Sequence, residues 1–314
     1  MKTLAAGIDV GGTNTEIGLT DRDGHILHST RFSTKGFTSP EKMAEVCSNW
    51  ILSACRENNW RLHACGIGAP SGNYYSGSIE HAPNMPWRGI IPLAELFEKH
   101  LNVQTTLTND ANAAAIGEMI FGKAKGLRDF IVVTLGTGVG SGFVSNGELI
   151  YGHDGFAGEL GHVMIDMNGR LCGCGRKGCL ETYTSATGVV YSAIEKIRSG
   201  QPTTLALIPE KELTSRHVFD AAQNGDIAAL EIFDETSRLL AFALANAVAI
   251  TSPSHIFLYG GLARSGNLLF EPLMRYFDAY ILQNYKGKVS IEISGLPENA
   301  AVLGAAAIGW SSVK

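Results

Sequence analysis

Two tight glycine turns and one acid–amide pair stand out as residues able to do chemistry. The first turn is Asp9-Val10-Gly11-Gly12-Thr13-Asn14, where an acid closes an apolar run. Successive backbone N–H groups in such a turn form an anion-binding nest, and glycine lets a phosphate approach the backbone. A carboxylate beside the nest can hold Mg²⁺, usually through water. An ordinary hairpin turn would look the same taken alone. The second turn, Gly136-Thr137-Gly138-Val139-Gly140, repeats the pattern and favours phosphate binding. Between them, Asn109-Asp110 stands where a strand gives way to a helix. Asp110 could cap that helix. It could also act as a general base, since a hydroxyl is a poor nucleophile until its proton has somewhere to go.

A third constellation points to a metal. Gly158-Glu159-Leu160-Gly161-His162 leads to Cys172-Gly173-Cys174-Gly175 and Gly178-Cys179-Leu180-Glu181. One histidine and three closely set cysteines match a tetrahedral zinc site with His162, Cys172, Cys174 and Cys179 as ligands. Four protein ligands leave no open position, so the ion would be structural. If one nitrogen of His162 binds zinc, the other is held in a fixed direction and can donate to a ligand oxygen. Glu159 and Glu181 flank the same stretch, and with His162 they form a candidate polyol-reading face. Asn84, in the Pro-bounded loop His81–Trp87, can both donate and accept. Gly260-Gly261 after an apolar run is either a plain turn or a close approach to a nucleotide base.

Two better-known phosphate motifs are excluded. Ser141 stands where a dinucleotide fingerprint needs its third glycine, and strand rather than helix follows it. Gly117–Ala124 is one residue short of a Walker A loop, and Ala124 lacks the hydroxyl that would meet Mg²⁺.

The elements that must position these residues read as α/β. Strands are expected at Leu4–Val10, Thr15–Thr20 and His25–Phe32, followed by a helix capped by Thr38 or Ser39 with Met43, Val46, Trp50, Ile51 and Ala54 on one face. The same plan recurs at Asp129–Leu135, Ser141–Ser145 and Glu148–Tyr151. A strand at Val103–Thr108 leads into an Ala-rich helix ending near Gly122. Helical patterns span Ala186–Arg198, His217–Gln223, Ala228–Thr251 and Ala300–Trp310, with strands at Ile256–Tyr259 and Val289–Ile293. Two related α/β lobes, each with its own glycine turn, would make a cleft for a phosphorylated ligand.

Composition agrees. The 314 residues are 45% hydrophobic and 18% charged, enough to bury a sizeable core. The net charge of −5 has no basic block, which argues against nucleic-acid binding. The longest apolar run, Leu239–Ile250, is well short of the roughly 20 residues needed to cross a bilayer. Cys47, Cys55 and Cys65 are scattered and read as small buried hydrophobes.

Taken together, these motifs resemble the ROK family of sugar kinases, in the actin-like ATPase superfamily. The resemblance covers essentially the whole chain. It rests on Asp9-x-Gly11-Gly12-Thr13-Asn14, on Leu135–Gly140, on Asn109-Asp110, and on Glu159-x-Gly161-His162 followed by the ungapped Cys172–Glu181 signature. Thr184–Gly188 is similar to the glucokinase members. The resemblance implies a two-lobed, ribonuclease H-like fold with a zinc-stabilised loop in the larger lobe. The expected division is 1–109 plus 300–314 for the small domain and 110–299 for the large one. It implies Asp110 as catalytic base, and Asn84, Asn109, Asp110, Glu159, His162 and Glu181 as hexose ligands. ATP and Mg²⁺ would be held by Asp9, Gly11, Gly12, Thr13, Asn14, Gly136, Thr137 and Gly138, with Gly260 and Gly261 on the adenosine side. Zinc would be structural. The implied reaction is ATP-dependent phosphorylation of a hexose 6-hydroxyl, glucose first, with an N-acetylhexosamine kinase or a non-catalytic sugar-sensing regulator as alternatives. A cytoplasmic homodimer without nucleic-acid or membrane partners is expected. Some family members carry a DNA-binding segment ahead of the first phosphate motif, and Asp9 is expected to leave no room for one.

Overall fold

The structure is a computed structural model that describes residues 1–296 and 300–312. Residues 297–299 and 313–314, which the expected domains included, lie outside the described residues. In chain order the elements are β1 (Lys2–Val10), β2 (Asn14–Thr20), β3 (Ile26–Ser33), α1 (Pro40–Glu57), β4 (Trp60–Ala69), β5 (Gly72–Asn73), β6 (Ser78–Glu80), β7 (Ile90–Ile91), α2 (Leu93–Leu101), β8 (Thr105–Asn109), α3 (Asp110–Phe121), β9 (Phe130–Leu135), β10 (Val139–Ser145) and β11 (Glu148–Leu149). After the cysteine loop come α4 (Glu181–Thr184), α5 (Ala186–Arg198), α6 (Ser215–Gln223), α7 (Ile227–Thr251), β12 (His255–Tyr259), α8 (Asn267–Tyr280), β13 (Ser290–Ile293) and α9 (Ala300–Ser312). The described residues pack into two compact units, one of residues 1–128, 142–158, 294–296 and 300–312, the other of residues 129–141 and 159–293. The boundaries thus fall elsewhere than at Asn109. The reason is α3, whose Ala113 and Ile116 pack with Ala307 and Ile308 of α9 and hold it to the first unit.

In the first unit a five-stranded sheet has the order β3-β2-β1-β4-β8. The β1–β2–β3 meander is antiparallel, while β1–β4 and β4–β8 are parallel. β1 is buried on both faces. Leu4, Ala6, Ile8 and Val10 join Met43, Cys47, Ile51 and Ala54 of α1 in one core. Each such side chain contributes about 1.5–3 kcal/mol by leaving water. The opposite face is paved with glycine. A Cβ on Gly7 would sit 2.1 Å from the Val302 carbonyl of α9, and one on Gly66 of β4 would sit 1.8 Å from that of Ala305. α9 therefore lies directly on backbone. It meets α3 the same way, because a Cβ on Gly304 would come within 2.2 Å of the Ala113 carbonyl. The start of α1 follows its sequence signals, with Pro40 in the first turn and the Ser39 side chain accepting the Lys42 N–H.

The second five-stranded sheet has the order β11-β10-β9-β12-β13, with β9–β12 and β12–β13 parallel. The Gly136 turn is shorter than its sequence suggests, since β10 already begins at Val139. α7 supplies the largest apolar face of the second unit, including Ile232, Phe233, Leu240, Leu244 and Val248. No helix among the described residues is long and apolar enough to cross a membrane. Cys47, Cys55 and Cys65 are buried, and burial pushes the Cys47 thiol up to about 12.

Candidate active site

In the first unit, two parallel strand ends carry the acids. Asp9 is the last residue but one of β1, and Asp110 begins α3 directly after β8. The cap of α3 falls to Asn109, whose Oδ1 accepts the Ala111 N–H at 2.8 Å. Asp110 Oδ1 accepts the same N–H at 2.8 Å. Asp110 keeps an exposed edge, yet loss of hydration raises its carboxyl above the usual range, with the Ala111 N–H pulling it partly back. Asp9 is pushed up to about 7, first by burial and then by the negative charges of Asp110 and Glu16. Glu16 sits opposite Asp9 across the β1–β2 pairing. The negative charge of Asp110 and Glu16 around Asp9 is one that a divalent cation beside Asp9 would relieve, so this acid fits a place next to Mg²⁺. The Gly11 N–H closes the turn onto the Asn14 carbonyl at 2.9 Å. Gly12 has a second reason to be glycine: a Cβ there would lie 2.1 Å from the Asn84 carbonyl. The Asn84 loop is thus seated on the first glycine turn.

In the second unit, the second glycine turn meets the cysteine loop. A Cβ on Gly138 would sit 2.8 Å from Glu181 Oε2, and one on Gly161 would sit 2.0 Å from the Val139 carbonyl. The Leu160 N–H donates to Ser141 Oγ at 3.1 Å, holding the Glu159–His162 turn to the start of β10. The Ala186 N–H and the Thr187 hydroxyl both donate at 2.8 Å to the carbonyls of Gly136 and Thr137. The glucokinase-like stretch therefore braces this turn. Gly260, with φ +107°, packs on the backbone of Leu135, whereas Gly261 has open space around it.

The four expected zinc ligands converge. The donor atoms of His162, Cys172, Cys174 and Cys179 all lie within 4.8 Å of one another. Cys174 Sγ and Cys179 Sγ are 3.6 Å apart, and Cys172 Sγ is 3.7 Å from His162 Nδ1. Those are about the edges of a tetrahedron with Zn–S bonds near 2.3 Å, so the residues fit zinc. Nδ1 faces the thiols, while Nε2 lies 3.9 Å from Glu159 Oε2. Glu181 Oε1 is 3.7 Å from Nδ1 and 3.0 Å from Cys172 Sγ. Burial raises the Cys172 and Cys179 thiols. Burial opposes ionisation at Cys174 too, but hydrogen bonds from Arg176 and the two neighbouring thiols bring it down to about 6. A thiolate already available at neutral pH suits metal capture.

Sequence reasoning overlooked Glu16 and Arg170. Glu16 alternates with buried residues on an ordinary strand, and a lone arginine in a polar turn carries no motif; only the fold shows what either touches.

The ROK family model matches residues 5–311. The chain belongs to the ROK family. It is 36% identical to a glucokinase of Thermotoga maritima, over 98% of this chain and 97% of that protein. The crystal structure of a ROK family glucokinase from Streptomyces griseus, in complex with glucose and AMPPNP, superposes with a TM-score of 0.81 at 30% identity, covering 98% of this chain and 99% of that one. A ROK hexokinase from Thermus thermophilus superposes with a TM-score of 0.84 at 29% identity, covering 99% of each chain. The fold is the actin-like ATPase fold of these ROK sugar kinases. This ROK chain is an enzyme of the hexokinase and glucokinase type.

Proposed function

We propose that the chain transfers the γ-phosphoryl group of ATP to the 6-hydroxyl of a hexose, with glucose preferred. The single observation that carries the chemistry is Asp110, an exposed carboxylate at a helix start whose affinity for a proton is raised. A general base works best when its pKa approaches the operating pH. Asp110 accepts the hydroxyl proton as the oxygen attacks phosphorus. Asn84, Asn109, Glu159, His162 and Glu181 take the sugar's hydroxyls. Asn109 caps α3 through Oδ1, so its amide nitrogen is the atom that serves as donor. Gly11, Gly12, Thr13, Asn14, Gly136, Thr137 and Gly138 offer donors to the phosphates, and Gly260 and Gly261 take the adenosine side. Asp9 helps to hold Mg²⁺, which when bound offsets the charge of the phosphates. His162, Cys172, Cys174 and Cys179 hold a structural zinc that fixes His162 and stiffens the loop leading to Glu181. A cytoplasmic location and a homodimer complete the proposal, the latter read by sedimentation.

The test is ADP release on a panel of glucose, mannose, fructose, N-acetylglucosamine and N-acetylmannosamine. The expected result is the highest kcat/KM on glucose. Preference for an N-acetylhexosamine would overturn the glucose assignment. No release above background on any sugar would leave a sugar-sensing regulator.

A further inference from the structure

We propose that Arg170 is the positioning residue that pre-forms the zinc loop and sets Glu181 against it. The inference rests on the zinc reading of His162, Cys172, Cys174 and Cys179, and not on phosphoryl transfer. Arg170 lies two residues before Cys172, and its side chain is only 14% exposed. Its guanidinium is almost fully used. Nη1 donates to the carbonyls of Thr182 at 2.6 Å and Gly188 at 3.1 Å. Nη2 donates to Ser192 Oγ at 2.9 Å. Nε and Nη2 grip the two oxygens of Glu195 at 2.8 and 2.5 Å. The guanidinium also stacks 4.4 Å from the centre of the Tyr183 ring, and the Arg170 backbone N–H donates to the Tyr183 hydroxyl at 3.0 Å.

These bonds join pieces of chain that the site needs in register. The Arg170 carbonyl accepts the N–H of Gly178, the residue before Cys179, at 2.8 Å. Thr182 and Tyr183 follow Glu181 directly in α4. One residue therefore ties together the approach to Cys172, the approach to Cys179 and the helix that presents Glu181. A loop with little apolar content would be expected to gain its order from the metal. Here the arginine supplies the framework of the loop, and the ion then locks His162 and the cysteines within it. Lysine cannot substitute, because a single ammonium cannot reach two carbonyls, a hydroxyl and both carboxylate oxygens with a planar fork. Outer-shell groups of this kind are worth roughly 10–100-fold in metal affinity.

The experiment is competition for zinc between the full chain and a chromogenic chelator, for wild type, Arg170→Gln, Arg170→Lys and Glu195→Gln. Zinc should bind roughly 10–100-fold more weakly to both Arg170 variants. Glu195→Gln, at an exposed carboxylate, should lose about threefold or less. The metal-stripped wild type should shield Cys172 and Cys179 from a thiol reagent, and the stripped Arg170→Gln should not. In turnover assays KM for hexose should rise with kcat little changed. A folded Arg170→Gln with zinc affinity within about twofold of wild type would overturn the proposal. If that variant does not fold, Arg170→Lys carries the same criterion. A chain that binds zinc as expected but phosphorylates no sugar would sink the proposed activity and leave this assignment standing.

Discussion

The two units hold their candidate residues in place by different means. In the first, Asp9, Asn109 and Asp110 stand at the ends of strands that are buried on both faces, and the packed sheet fixes them. In the second, Glu159 and His162 stand at the two ends of a short 3-10 turn, and Glu181 begins a four-residue helix. That region is cross-linked instead by Arg170 and by four converging side chains that fit a zinc ion. The glycine turns differ in the same sense. Gly12 yields to a backbone carbonyl, which cannot move, whereas Gly138 yields to the tip of the Glu181 side chain, which can. A site held by the core should respond to mutation through chemistry and charge. A site held by local cross-links should respond through geometry and ligand affinity.

The largest effect should come from the first unit. Asp110→Asn removes the base and keeps the shape, and the Asn109 cap remains to start α3. We expect kcat to fall roughly 10²–10⁴-fold, the usual worth of a general base, with sugar affinity largely kept. Isothermal titration with glucose beside ADP release separates the two. Wild-type turnover would remove Asp110 from its role. Cys174→Ser in the second unit should act the other way. Metal analysis should find one zinc per wild-type chain and loss of it in the variant, with sugar binding falling about 100-fold, at the upper end for metal-site perturbations. Native protein without zinc, or a zinc-free variant that binds glucose normally, would erase the contrast between the units.

How much of this was legible in the sequence follows the same division. The four residues that converge at the cysteine loop, both glycine turns and the strand-to-helix junction at Asn109-Asp110 were readable because each belongs to a compact string. The meander and the amphipathic α1 were readable because their periods survive. β4 was missed, although it lies inside the first sheet between β1 and β8. Gly66 and Gly68 interrupt its apolar run, and Gly66 is there for the approach of α9, from the other end of the chain. α8 was missed as well, with Pro272 inside it. Gly7, Gly18 and Gly66 lie within strands as the seat of a helix. Arg170 was invisible for the same reason, because its partners lie 12 to 25 residues away.

The glycine turns give an intermediate test. Gly12→Ala must displace the Asn84 backbone from a separation of 2.1 Å, so the first turn should lose both phosphate and sugar affinity, each by about tenfold or more, in step with a lower Tm. Gly138→Ala needs only a movement of Glu181 from 2.8 Å, so KM for sugar should rise by a factor of about three to ten while Tm stays within a degree or two. Gly136→Ala meets nothing within 4 Å and serves as the control for phosphate approach alone. Equal losses of Tm in Gly12→Ala and Gly138→Ala would mean that the two turns are held alike.

The smallest expected effect is one of stability and carries a sign. Asp9 in the folded chain is pushed up to about 7 from an unfolded value of 3.8. The folded state therefore holds this proton more tightly than the unfolded state does. The stabilisation is complete below the unfolded value, and it is lost as pH rises through the folded one. Above neutrality the buried carboxylate repels Asp110 and Glu16. Asp9→Asn abolishes that charge, so the variant should melt higher than wild type at pH 8 and close to it at pH 4. Three pKa units correspond to about 4 kcal/mol, and partial exposure of the side chain discounts this to about 2. A Tm gain of roughly 4 °C is then expected for the Asn variant at pH 8. Mg²⁺ with nucleotide should narrow the gap by stabilising wild type and not the variant, because only wild type offers the anion. A variant that melts with wild type at both pH values would show that the first unit, too, is set by geometry rather than by charge.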